Sequence, residues 1–214
     1  ASWSRGLGDV YKRQLKLNST NGSITLNAED GSGNLDLTVP RSTLEPRKVI
    51  STTNLSTAAA SVGITLPTSG YTYLELHIEG VRPATDEVDF RFELSDDGGT
   101  TTETMTASRL AMSGYYAVVT GFNVFTPVVF QMNGTGITNS AASDFNAIMR
   151  INIPTSTTKT SLHYQANFNV GDDGVENSLG CADLRTANVT ANFIRFSMSS
   201  GNISDGKFVL YGIA

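Results

Sequence analysis

Tyr73-Leu74-Glu75-Leu76-His77-Ile78-Glu79 sets apolar residues at every second position, and Val88, Phe90, Phe92 and Leu94 do so again opposite Asp89, Arg91 and Glu93. A period of two places one set of side chains on a buried face and the other on an exposed one, which is the signature of a half-buried strand. Working outward, Ile64-Thr65-Leu66, Tyr115 to Thr120 and Val124 to Gln131 read as further strands, with Pro127 marking an edge or bulge. Phe145 to Ile153, Leu162 to Phe168, Ile194 to Met198 and Phe208 to Ile213 complete the series. Turn chemistry separates them, as at Ser95-Asp96-Asp97-Gly98-Gly99 and Gly171-Asp172-Asp173-Gly174. No segment alternates strand with helix, so a parallel α/β sheet is not expected. The expected fold is all-β, an antiparallel β-sandwich of jelly-roll type.

Composition agrees. The chain has 214 residues, with 39% hydrophobic and only 16% charged residues, and Gly, Ser, Thr and Asn fill the difference. Those residues suit turns and strand surfaces better than helix interiors. A net charge of −5 argues against a nucleic-acid partner, which calls for a clustered basic surface. No apolar run reaches the roughly 18 residues of a membrane helix, so membrane insertion is not expected. No signal peptide is recognisable, and Cys181, the single cysteine, forms no intrachain disulfide, which tilts the expectation toward assembly inside a cell.

Ser4-Arg5-Gly6-Leu7-Gly8-Asp9-Val10-Tyr11-Lys12-Arg13-Gln14 resembles the translation of a transposon-based sequencing-library adapter over eleven consecutive residues. Residues 1–14 are therefore set apart from fold reasoning, with the native N-terminus expected elsewhere. Residues 15–45 read as a β-rich stem of short strands around Asn21-Gly22 and Asp30-Gly31, ending at Pro40. Residues 46–63 read as a linker, and 64–214 as the sandwich. Such short strands bury no core alone, so the stem is expected to pack against other copies or the following domain.

Three stretches carry a family resemblance. Val81-Arg82-Pro83-Ala84-Thr85-Asp86-Glu87-Val88-Asp89-Phe90 runs into Ser95-Asp96-Asp97-Gly98-Gly99. Ile194 to Ile203 then leads to Gly206-Lys207-Phe208-Val209-Leu210-Tyr211-Gly212-Ile213. Together they resemble a β-domain of tail-fibre and other virion appendage proteins of tailed bacteriophages, over about residues 64–214. The resemblance implies a virion component assembled in the bacterial cytoplasm. It implies a homotrimer that meets other virion proteins, with a host-surface glycan as a further partner. It brings no catalytic residue and no cofactor.

Candidate chemistry is sparse. A Ser-His-Asp centre has only His77 and His163 to draw on, both within strands, and no Gly-x-Ser-x-Gly elbow is present. Asp96-Asp97 and Asp172-Asp173 are paired carboxylates of the kind a glycosidase uses, but adjacent residues in a turn diverge, and Asp-Gly is ordinary turn chemistry. Asp172, Asp173 and Glu176 form the best oxygen cluster for calcium, without the spacing of a known loop, so no metal is expected. Tyr115 and Tyr116 offer an aromatic platform for a sugar ring. The ligand-binding candidates are therefore Asp96, Asp97, Tyr115, Tyr116, Asp172 and Asp173, with residues 134–143 as a further loop. The expected function is a non-enzymatic virion module for assembly or adhesion. A carbohydrate-binding module of a secreted bacterial protein and a depolymerase fragment are the alternatives.

Overall fold

A computed structural model describes residues 24–27, 34–37, 47–113, 118–125, 127–140, 144–153, 159–170, 174–186 and 189–214. The chain divides into two compact units, Ala1–Pro46 and Arg47–Ala214. In the first, β1 (Ile24–Asn27) pairs antiparallel with β2 (Asn34–Leu37) in a short hairpin that sets Ile24 opposite Leu37.

The second unit is an all-β sandwich of two antiparallel sheets. Its strands are β3 (Arg47–Leu55), β4 (Ser61–Thr65), β5 (Tyr73–Pro83), β6 (Phe90–Ser95), β7 (Met105–Ser113) and β8 (Val118–Phe125). They continue as β9 (Phe130–Gln131), β10 (Phe145–Asn152), β11 (Ser161–Asn169), β12 (Val175–Leu184), β13 (Phe193–Met198) and β14 (Ile203–Ile213). The long sheet runs β3-β14-β5-β10-β11-β12-β7-β8 and the short sheet β4-β13-β6-β9. From β3 to β6 and again from β13 to β14 the chain switches sheet at each connection, as in a jelly roll. The β7-β8 and β11-β12 pairs are added to the long sheet and widen it beyond the short one. The first and last strands of the unit are neighbours, with Lys207 opposite Asn54 and Ile213 opposite Arg47.

Alternation explains why the sheets face each other. Leu74, Leu76 and Ile78 of β5 and Phe208 and Leu210 of β14 point inward from the long sheet, and all are buried. Phe90, Phe92 and Leu94 of β6 and Ile194 and Phe196 of β13 meet them from the short one. Aromatic rings run through the middle of this core. Phe90 packs edge-on against Phe145 at 4.9 Å and stacks with Phe196 at 5.5 Å, and Phe196 continues to Phe208 at 5.4 Å. Each buried ring contributes roughly 1.5–3 kcal/mol of transfer free energy, so this chain of rings is the main cohesive element.

Two expectations change. Residues 46–63, expected as a linker, hold β3 and the start of β4, and the compact unit begins at Arg47. The pattern is faint there because β3 is an edge strand, bonded only to β14 and rich in Ser and Thr. Val124 to Gln131, expected as one strand, is divided. β8 ends at Phe125 in the long sheet and β9 starts at Phe130 in the short one, with Pro127 in the crossover. Proline has no N–H to give a ladder, which suits the point where the chain leaves a sheet.

Candidate interaction surface

The outer face of the long sheet is built by the residues that alternate with the core. Cross-strand register aligns them into rows. One row carries Val209, His77, Ile148, Gln165, Leu179 and Leu110 across six strands. The next carries Tyr211, Glu75, Arg150, His163, Cys181 and Ser108. Seven large hydrophobic residues are exposed among the described residues, and five of them (Val49, Met112, Ile148, Val175 and Leu179) lie on this face. Ile148, near the middle, is 49% exposed. Isolated exposed apolar residues are ordinary, but their concentration on one sheet face marks a contact surface.

Beside Ile148 sits a network that covers a carboxylate on what would otherwise be the wet side. Glu75 is only 9% exposed although its side chain points away from the core. Its Oε1 lies 3.1 Å from Arg47 Nη2 and 2.8 Å from His77 Nε2, and its Oε2 lies 3.4 Å from Arg150 Nε. His77 Nε2 is also 2.8 Å from Arg47 Nη2, so the imidazole donates to the carboxylate in one tautomer and accepts from the guanidinium in the other. Arg47 stacks over Tyr211 at 3.6 Å, Arg150 lies 5.5 Å from the Tyr73 ring, and His77 meets Tyr211 edge-on at 5.1 Å. Burial pushes the Glu75 carboxyl upward. The hydrogen bond from His77 and the charges of Arg47, His77 and Arg150 outweigh it, so the net shift is downward and the group stays ionised.

A shallow groove of about 360 Å³ crosses β5, β10 and β11 next to this network, lined by His77, Glu79, Asn146, Ile148, Gln165 and Asn167. It opens where the register shifts between Phe145 and Ala147. There Gly80, at φ +61°, donates its N–H to Asn146 Oδ1 at 3.0 Å. A left-handed residue at the shift suits glycine and leaves the strand kinked, which hollows the face.

Of the residues singled out from sequence, Asp96 and Asp97 lie in the loop after β6. Asp97 accepts from Thr100 N and Thr101 N at 2.9 Å each, from Thr101 Oγ1 at 2.8 Å and from Ser95 Oγ at 2.7 Å. Those bonds, the Thr101 N–H first, hold its carboxyl far below the usual carboxylate range. Its oxygens organise the loop. The Asp96 carbonyl accepts from Asn192 Nδ2, which ties the same loop to the segment before β13. Tyr115, Tyr116, Asp172 and Asp173 lie outside the described residues, as do residues 141–143 of the loop 134–143. Glu176 is buried on the inner side, where it accepts from Gly134 N and Thr135 Oγ1 at 2.6 Å each. Among the described residues, no group of three or more His, Cys, Asp and Glu is placed to hold a metal ion.

His163 and Cys181 face each other across β11 and β12, and Ser108 Oγ lies 3.0 Å from Cys181 Sγ. Neither histidine is paired with both a serine and a carboxylate. Sequence reasoning placed the candidate site in loops and at Tyr115 and Tyr116, and missed this sheet face. The signal was present in the polar half of each alternation, where Ile148 and Leu179 stand among charged and amide residues. In comparisons with family models, curated proteins and solved structures, none matches the chain.

Proposed function

We propose that this chain is a structural module of a bacteriophage virion appendage, acting by contact in assembly or adhesion rather than by turning over a substrate. The observation that carries the reading is the outer face of the long sheet, which carries five exposed apolar residues together with a carboxylate whose charge is already neutralised. Such a face is suited to lie against another surface, because docking there leaves no lone charge in a dry environment. The resemblance of residues 81–99 and 194–213 to tail-fibre domains supplies the virion setting and the expectation of a homotrimer. Mass spectrometry of particles banded in a density gradient tests it. Peptides of this chain are expected to co-band with capsid proteins, and their confinement to soluble or secreted fractions would refute the virion reading.

A second reading, a carbohydrate-binding module, is favoured by the groove. Among the described residues, the side chains of Gln165 and Asn167 meet no hydrogen-bond partner there, and amides of this kind bind sugar hydroxyls. Incubation with host polysaccharide distinguishes the readings. Retention without new reducing ends fits an adhesin. Release of reducing ends above background, abolished by replacing Asp96 or Asp172, identifies a depolymerase.

A further inference from the structure

We infer that copies of this chain associate with one another through the outer face of the long sheet, centred on Ile148. The inference rests on the reading of the chain as an assembling contact module, and it names the partner as the chain itself.

Size is the first argument. Eight strands spaced about 4.8 Å apart span about 34 Å, and about eight residues rising ~3.3 Å each run about 26 Å, giving a face of about 900 Å². A stable protein interface takes about 800 Å² from each partner. The long sheet therefore offers enough area without help from any other part of the molecule.

Charge is the second. The chain as a whole carries −5, so two copies repel unless they meet where that excess is absent. Between the row of Tyr73 and the row of Glu79, the face carries Arg47, Arg150 and Lys207 against Glu75, Glu79 and Asp183, a net charge of zero. These charges are largely paired within one copy. Glu75 is held by Arg47 and Arg150, and Lys207 Nζ lies 3.0 Å from Glu79 Oε2. A face that is neutral, internally paired and apolar at its centre suits contact with another copy of this chain. A strongly cationic or anionic partner gains nothing there.

The chemistry of the centre is the third. Tyr73, Tyr211 and His77 surround the Glu75 network, and Ile148 and Leu179 extend the apolar surface toward β12. Interfaces concentrate their binding energy in such a core of aromatic, arginine and apolar residues, rimmed by amides and hydroxyls. Asn167, Asn177 and Asn152 supply that rim. Burying the face costs little further desolvation of Glu75, which water has already nearly left.

Sedimentation equilibrium of the full chain tests the inference, with Ile148→Glu and Leu179→Glu as interface variants. Ser61→Glu, on the exposed outer face of the short sheet, is the control. The wild type and Ser61→Glu are expected to form the same oligomer. Each interface variant should raise the dissociation constant about a hundredfold or more, because a new carboxylate is forced into the contact. Far-UV circular dichroism should be unchanged, which separates loss of association from loss of fold. A wild type that is monomeric at every concentration overturns the inference, and so does an oligomer that survives both interface variants. A monomer that is still retained on polysaccharide would sink the inference and leave the contact reading standing. An oligomer broken by Ile148→Glu in a protein that never co-bands with capsids would do the reverse.

Discussion

Replacing Glu75 with Gln removes one charge and almost no volume, and so isolates the electrostatics of the outer-face network. In the native protein, the Glu75 side chain is 11% exposed, while Arg47 and Arg150 are 41% and 52% exposed. Removing one partner of a fully buried pair costs about 3–5 kcal/mol, and exposed pairs are worth about 0–1 kcal/mol. With a covered carboxylate and half-wet cations the loss should lie between these limits, at about 1–2 kcal/mol. The sign of the pH dependence follows from the lowered carboxyl. Above its ordinary value of 4.5, Glu75 is ionised both folded and unfolded, and its full stabilising contribution is present. As the pH falls through the lowered folded value the carboxylate takes up a proton, and that contribution disappears. Urea unfolding of both proteins from pH 7 to pH 3, at one fixed chain concentration, measures the difference. The gap should be present from pH 7 down to about pH 5 and should close below about pH 4.5. Equal stability at pH 7, or a gap that persists undiminished at pH 3, would refute this account of the network.

Three further outcomes follow from particular contacts. Tyr164→Phe removes the hydroxyl that donates to the Met132 carbonyl at 2.9 Å. Because Ser178 Oγ still donates to that carbonyl, the expected loss by urea unfolding is about 1 kcal/mol, and a neutral result would dismiss the bond. Asp97→Ala should lower the melting temperature at pH 7, with the difference shrinking as the pH falls below the ordinary carboxyl value of 3.8, where the unfolded chain takes up a proton that the native loop still excludes. A difference independent of pH would show that the carboxylate is not what holds the loop. Deleting residues 1–14 should leave the melting temperature unchanged, and a loss of several degrees would show that the adapter-like segment has a structural part.

The inward halves of β5, β6, β10, β11 and β13 were legible because large apolar residues occupy them at strict alternation, as with Phe145, Ala147, Met149 and Ile151. β7 and β12 were not legible, and the reason is physical. On β12 the inward positions are Glu176, Ser178, Gly180 and Ala182, while Val175, Leu179 and Cys181 face outward, so the usual sign of the pattern is reversed. Small inner residues are needed there because Tyr164 lies across the sheet. A Cβ on Gly180 would sit 2.3 Å from the Tyr164 ring. Beyond β9 of the short sheet, the segment 132–135 lies against this part of the long sheet, tied to it by Tyr164, Ser178 and Glu176. The candidate surface was hidden for the same reason. Alternation says which side of a strand is wet, but only pairing across β5, β10, β11 and β12 brings His77, Ile148 and Leu179 into one row. The loop Asp96-Asp97 was correctly read as a turn from its Asp-Gly chemistry, and the hydrogen bonds within it show what the aspartate does there.

Cys181 gives the most direct measurement of whether the outer face of the long sheet is a contact surface. It is the only cysteine in the chain, and it is exposed on that face, opposite His163 and two residues along β12 from Leu179. The rate at which a thiol reagent labels it therefore reports whether the face is covered. The account predicts fast labelling in dilute solution and at least about tenfold slower labelling as the chain is concentrated, with Ile148→Glu restoring the fast rate. A labelling rate that is the same at all concentrations, and the same in wild type and Ile148→Glu, would contradict it.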